Sequence, residues 1–172
     1  MAQPFIIALY TAQGIPMLYQ GQEICENYSL PGGGWTRVLA KRPLRWEYFY
    51  DTPGRGILRL HQKMGAIRSE RRALRSRNSY YYHTESDTRK GIIFYLREAP
   101  ASNHIPQEKI IVGLNFSSND YYKDFPFPDA GTWRDLLHGE TISVSKANQR
   151  KRIKIPSHYG KVYLLGYLYT KR

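Results

Sequence analysis

Cysteine is nearly absent: Cys25 is the single one in 172 residues. A lone thiol forms no internal disulfide, so a disulfide scaffold is excluded, and with it a thiolate zinc site. Long apolar runs are missing too. The stretch Phe5 to Leu9 is too short to cross a bilayer, and no Lys or Arg precedes it as a secretory leader requires. Neither a membrane contact nor a signal peptide is expected, and the compartment stays open. The chain also has no internal repeat and no low-complexity tract.

Several catalytic signatures are absent as well. The five histidines, His61, His83, His104, His138 and His158, lack His-x-x-x-His spacing, so neither a metal nor any other cofactor is expected. No nucleophile elbow marks a Ser, His and Asp triad, and Pro31-Gly32-Gly33-Gly34-Trp35-Thr36 lacks the Gly-Lys-Ser/Thr end of a phosphate loop. The sequons at Asn27 and Asn115 are read as chance occurrences.

What is present points to a folded, β-rich protein. Hydrophobic residues make up 41%, enough for a packed core, and aromatics 14%, with Tyr at 15 residues far ahead. Flat rings pack well across a pleated face. From Gln3 to Gln13 the apolar spacing predicts a short helix with Gly14 as its C′ residue. Ile15 to Tyr19 reads as a strand buried on both faces, and Gly21 to Lys41 as one long loop. Gly54 to Ala73 returns to helical spacing, with Ile57, Leu60, Met64 and Ile67 on one side.

After Asn78 the period becomes two. Short runs at Tyr80 to His83, Ile92 to Leu96, Ile110 to Phe116, Trp133 to Leu137, Ile142 to Val144, Ile153 to Ile155 and Val162 to Tyr169 predict about seven strands of an antiparallel Greek-key β-sandwich. The chain therefore divides into residues 1–77, mixed α and β, and residues 78–172, all β. A lone strand wanting cover on both faces cannot make a sheet, so the front part reads as the end of something larger.

Gly14-Ile15-Pro16-Met17-Leu18-Tyr19-Gln20-Gly21-Gln22-Glu23 resembles the eighth barrel strand of the α-amylase family of glycoside hydrolases and transglycosidases. Arg42-Pro43-Leu44-Arg45-Trp46 is similar to an element of the loop that follows, and Gly56 to Leu58 with Ile67 to Arg75 to the last barrel helix. Val112 to Ser117, Thr132 to Glu140 and Ile155 to Gly160 resemble landmarks of the family's appended sandwich. The resemblance implies a mainly β chain: the last β/α unit of an incomplete TIM barrel, then the complete sandwich. It implies an α-glucan substrate and a retaining mechanism for the parent enzyme. The three catalytic acids would all lie upstream, so no catalytic residue is expected here.

Gln20, Gln22 and Glu23 follow the barrel strand on the face where barrel enzymes keep their active sites. They either line the substrate side or hold their own loop by hydrogen bonds. Glu85 with Asp87, and Asp124 with Asp129, are expected to be solvated loop acids. Arg68, Arg71, Arg72, Arg75 and Arg77, with a second cluster at Gln149 to Lys154 and interleaved tyrosines, keep a rival reading in view, a surface for single-stranded nucleic acid. Against it, the arginines fall at the end of a helix, where cations are favoured. A third reading is a carbohydrate-binding sandwich using Tyr80 to Tyr82 as ring platforms.

The rear part is expected to form an autonomous sandwich with Ile92, Phe94, Ile111, Leu114, Val162 and Leu164 or their pleat neighbours inside. The apolar surface of the front part, from Phe5, Ile6, Leu9, Ile15, Met17 and Leu18 and the stripe Leu60, Met64 and Ile67, is expected to be covered by self-association or by folding back on the sandwich.

Overall fold

A computed structural model of the chain describes residues 2–27, 33–41, 43–82 and 84–166. Helix α1, Gln3–Thr11, starts with Pro4 in its first turn, where a missing N–H costs nothing. It stops at Ala12, which is extended, so Gln13 takes the C′ position expected of Gly14, and Gly14 turns left-handed at φ 98° one residue later. Ile15 to Tyr19 does not form a strand, because no backbone among the described residues pairs with it in a hydrogen-bond ladder. The expected loop from residue 21 to 41 carries a 3₁₀ turn at Gln22–Ile24 and helix α2, Gly34–Leu39; Pro31 and Gly32 lie outside the described residues.

Helix α3, Glu47–Tyr50, leads into α4, Thr52–Glu70. Asp51 caps α4 by accepting the Gly54 N–H at 2.6 Å, and Pro53 sits in the first turn. Gly54 lets α3 approach closely, since a Cβ there would lie 1.7 Å from the Tyr48 carbonyl. The helix predicted to run to Ala73 breaks at Arg71, whose backbone is extended, and resumes as α5, Arg72–Arg75. Its predicted stripe is correct. Ile57, Leu60, Met64 and Ile67 are all buried.

Among the described residues eight strands follow: β1 Asn78–Tyr81, β2 Ile92–Ala99, β3 Glu108–Asn115, β4 Tyr121–Phe127, β5 Gly131–Asp135, β6 Thr141–Val144, β7 Gln149–Ile155 and β8 Tyr159–Gly166, with helix α6, Glu85–Arg89, between β1 and β2. All pairings are antiparallel. Six strands form a sheet in the order β1-β2-β3-β8-β5-β6, and β4 pairs with β7 in a ribbon over it. Strands β5, β6 and β7 run on from one another and β8 returns beside β5, which is a Greek key bent across the two layers. Strand β4 is missing from the sequence reading because Lys123, Asp124 and Pro126 interrupt its pattern. It pairs only with β7, and that edge position tolerates Pro126.

The large sheet is buried on both faces. Toward the ribbon lie Ile92, Phe94, Leu96, Ile111, Trp133, Tyr163 and Leu165, packed on Phe125, Phe127, Ile153 and Ile155. Toward the helices lie Tyr95, Ile110, Val112, Leu114 and Val162, packed on Ile6, Ile7, Met64 and Leu74. Leu114, Val162 and the partly buried Leu164, expected inside the sandwich, therefore belong to the opposite face. The reason is visible in β3: Ile110 to Leu114 is an uninterrupted apolar run, the pattern of a strand covered on both sides. Burying each such side chain contributes roughly 1.5–3 kcal/mol, which holds α1 and α4 on the sheet. Folding back on the sandwich thus covers Ile6, Leu60, Met64 and Ile67. Phe5, Ile15, Met17 and Leu18 stay exposed.

Candidate functional site

Beside α1, the segment Ile15 to Tyr19 and the 3₁₀ turn enclose a cleft of about 430 Å³, walled by Phe5, Ile6, Leu9, Met17 and Leu18 and closed by Gln22, Cys25, Glu26 and His61. The turn is bracketed by two left-handed residues, Gly21 at φ 89° and Cys25 at φ 59°. At φ 89° Gly21 holds a conformation that L side chains rarely adopt, so glycine suits the start of the turn.

Of the three residues singled out by sequence, Gln22 reaches the cleft. Its Oε1 accepts the Tyr19 N–H at 2.8 Å. Glu23 is half-buried and accepts the Gly21 N–H at 3.0 Å. Gln20 is exposed at the start of the turn. The structure brings Gln22 and Glu23 together as braces of one turn.

His61, buried on α4, was not singled out beyond its lack of metal spacing. Its Nδ1 lies 3.1 Å from Tyr10 Oη, and the two rings meet edge to face. Burial lowers the proton affinity of the imidazole, against a smaller opposite pull from the Gln22 backbone and the Glu23 charge. Burial raises the Tyr10 phenol, helped by the same Glu23 charge. The signal in the sequence was the helical spacing that puts His61 one position from Leu60 on the buried stripe.

The imagined carboxylate pairs are not brought together as pairs. Glu85 is exposed and ion-paired with Arg89. Asp87, expected to be solvated, is only 3% exposed, a correction with a clear cause. Thr84 caps the short helix α6, which turns Asp87 inward onto Tyr121 Oη at 2.6 Å and the Lys123 ammonium. Burial alone would raise its pKa, but the bonds from Lys123, Tyr121 and Thr84 outweigh it and hold the carboxyl below its ordinary value. Asp124 is exposed on β4, and Asp129 pairs with Lys109 at 2.7 Å.

A second ionic cluster escaped the sequence reading. Asp135 on β5 is fully buried, lies 3.1 Å from Lys161 Nζ, and accepts the N–H groups of Leu137 at 3.1 Å and Val162 at 3.2 Å. Lys161 also reaches Glu140 at 2.7 Å, and His138 Nδ1 lies 2.8 Å from Asp135. Burial pulls the Lys161 ammonium down, but its bond to Glu140 and the Asp135 charge more than reverse this and raise its pKa. Four partners on one carboxylate make a structural anchor, because no acceptor is left facing solvent. Among the described residues, no group of three or more His, Cys, Asp or Glu is arranged to hold a metal ion. No helix there is long and apolar enough to cross a membrane.

The arginine cluster is largely engaged. Arg68 donates to the carbonyls of Tyr10 at 2.6 Å, Ala12 and Gly14, and Arg75 to Arg68 at 2.8 Å and Ser69. Arg72 donates to Pro100 and Pro106 carbonyls and to Ser102. These are carbonyls at helix ends and turns, the places a cation is favoured.

The β region matches a known domain family. Residues 82–165 match the model of the alpha amylase, C-terminal all-beta domain. Residues 82–165 are an α-amylase C-terminal domain. The likeness of fold extends forward across the helices. An α-amylase from Geobacillus thermoleovorans, solved with acarbose, superposes with TM-score 0.67 at 20% identity over 96% of this chain and 33% of its own. A maltogenic α-amylase from Thermotoga neapolitana gives 0.59 at 18% identity, over 95% of this chain and 36% of its own. A pullulanase from Bacillus acidopullulyticus gives 0.65 at 16% identity, over 94% and 20%. The chain thus spans about a third of the length of these amylases. No curated protein matches it by sequence. Within the α-amylase C-terminal domain lie the Asp135 anchor and the Asp87 cluster, while the cleft lies ahead of it.

Proposed function

We propose that this chain is the C-terminal part of an enzyme that acts on α-1,4-glucosidic bonds of starch-type glucans with retention of anomeric configuration. Residues 1–77 supply the last strand segment and helix of its catalytic barrel, and residues 78–172 its sandwich. One observation carries the reading: the α-amylase C-terminal domain is preceded by a helix, an apolar segment and a second helix that superpose, together with it, on amylases about three times as long.

Retaining cleavage needs two carboxyl groups about 5 Å apart across the scissile bond, one protonated and one ionised. Glu26 is the one carboxylate among the residues that line the cleft; Glu23, beside it, is committed to its own turn, and Asp135 and Asp87 are buried on lysines. The chain by itself is therefore a structural and accessory module: α4 and the sheet give a rigid base on which Gln22 and Glu23 shape the loop at the barrel mouth. α-Glucan is the partner of the longer protein.

The test has two arms. Purified 172-residue protein should not turn over p-nitrophenyl maltoside or soluble starch; turnover would refute the accessory reading. The protein translated from the extended reading frame should cleave starch, with the α-anomer first seen by proton NMR. The β-anomer as first product would refute retention.

A further inference from the structure

The six-stranded sheet is wider than the ribbon that covers it. At its β1 edge the sandwich face is left open, and register fixes what stands there: Asn78 lies opposite Glu98 and Tyr80 opposite Leu96, all on one face. Together with Arg77 and Ser79 these residues line a hollow of about 270 Å³. Its floor is Leu96, buried in the sandwich core, and its wall is Tyr80, 62% exposed.

The Tyr80 ring is held in place. It meets Tyr82 edge to face at 4.9 Å, Tyr82 meets Phe125 at 5.1 Å, and Phe125 stacks on Phe94. An exposed ring anchored through a chain of core aromatics loses little freedom on binding, which is what a stacking platform requires. Around it the Asn78 amide and the Arg77 guanidinium have no partner among the described residues, while Gln107 steadies Glu98. Such planar amide, guanidinium and carboxylate groups bind vicinal hydroxyls in pairs.

We propose that this hollow binds a glucosyl segment of an α-1,4-glucan, one pyranose face on Tyr80 and its hydroxyls on Asn78, Arg77 and Glu98. The charge of the site selects a neutral ligand: one cation and one anion line it, in a chain of net charge +12. A polyanion would find little attraction here. The identity of the linkage rests on the starch-active reading above; the platform itself does not.

Isothermal titration of the 172-residue protein with maltoheptaose tests the site. Tyr80→Ala should weaken binding about tenfold or more, Tyr80→Phe should keep it, and Tyr122→Ala, on the outer face of the ribbon, should leave it unchanged. In the wild-type protein, maltoheptaose should shift the amide resonances of Asn78 and Tyr80, a readout independent of any variant. Absence of that shift, or equal binding by Tyr80→Ala, overturns the proposal even if the longer protein degrades starch. Tyr80-dependent binding that prefers cellohexaose upholds the platform and overturns the starch-active reading.

Discussion

Tyr10 Oη lies 3.1 Å from His61 Nδ1, and this contact joins α1 to α4 behind the cleft. Because burial lowers the proton affinity of His61, the imidazole is more easily protonated in the unfolded chain than in the fold. The sign follows. Its contribution is complete above the ordinary histidine pKa near 6.5 and is lost as pH falls below it toward the lower folded value. The urea midpoint should drop between pH 7 and pH 5 by more in the wild type than in His61→Gln. Equal slopes in the two proteins would exclude His61 as the source.

Asp135 and Lys161 lead to a larger effect. Lys161→Met leaves a fully buried carboxylate without its cation and should cost about 3–5 kcal/mol in guanidinium unfolding. The double variant Asp135→Asn, Lys161→Met should recover part of that loss, since it leaves no unpaired charge. A cost below about 1 kcal/mol for the single variant would show that the ion pair does not anchor β5 to β8.

The exposed apolar rim of the cleft carries a prediction about association. Ile15 is 95% and Met17 81% exposed, beside Phe5 and Leu18. The 172-residue protein should self-associate in light scattering through residues 1–75, and Ile15→Lys with Met17→Lys should return it to a monomer. A monodisperse wild-type monomer would count against association through this face.

Arg150, Arg152 and Lys154 line the outer face of the ribbon with Tyr122, whose ring lies 5.5 Å from the Arg152 guanidinium. Lys154 is already paired with Asp120 at 2.6 Å, and Arg150 with the Asp124 carbonyl. Heparin and oligonucleotide binding should therefore be weak and vanish near physiological ionic strength. Sub-micromolar binding there, abolished by Tyr122→Ala, would promote the nucleic-acid reading.

The long elements were legible because their patterns are strong. The stripe Ile57, Leu60, Met64 and Ile67 and the β2 and β3 runs stand where periodicity puts them, and β8 does so from Val162 to Gly166, the rest of its expected run to Tyr169 lying outside the described residues. What escaped were features set by partners distant in sequence. Asp87 reads as a loop acid until Lys123, 36 residues on, is seen beside it. Asp135 and Lys161 are likewise separated by 26 residues. Ile15 to Tyr19 has the composition of a strand, yet a strand exists only where another backbone completes its hydrogen bonds. Gln22, which lines the cleft, and Glu23, which braces the turn beside it, stand out in the sequence by their place after that segment, whereas His61 reads as one more residue of a helix.

The apolar run in β3 has a last consequence. Ile110, Val112 and Leu114 face the helices while Ile111 faces the ribbon, so one strand is a wall common to two interiors. Stripping α1 and α4 from it would bare Tyr95, Val112 and Val162 to water, and the all-β part would not survive unaltered by itself. The sequence boundary near residue 77 is then not a thermodynamic one: both sides should melt in a single transition, with calorimetric and van't Hoff enthalpies equal. Two separated transitions would mean that the shared wall carries no load between its faces.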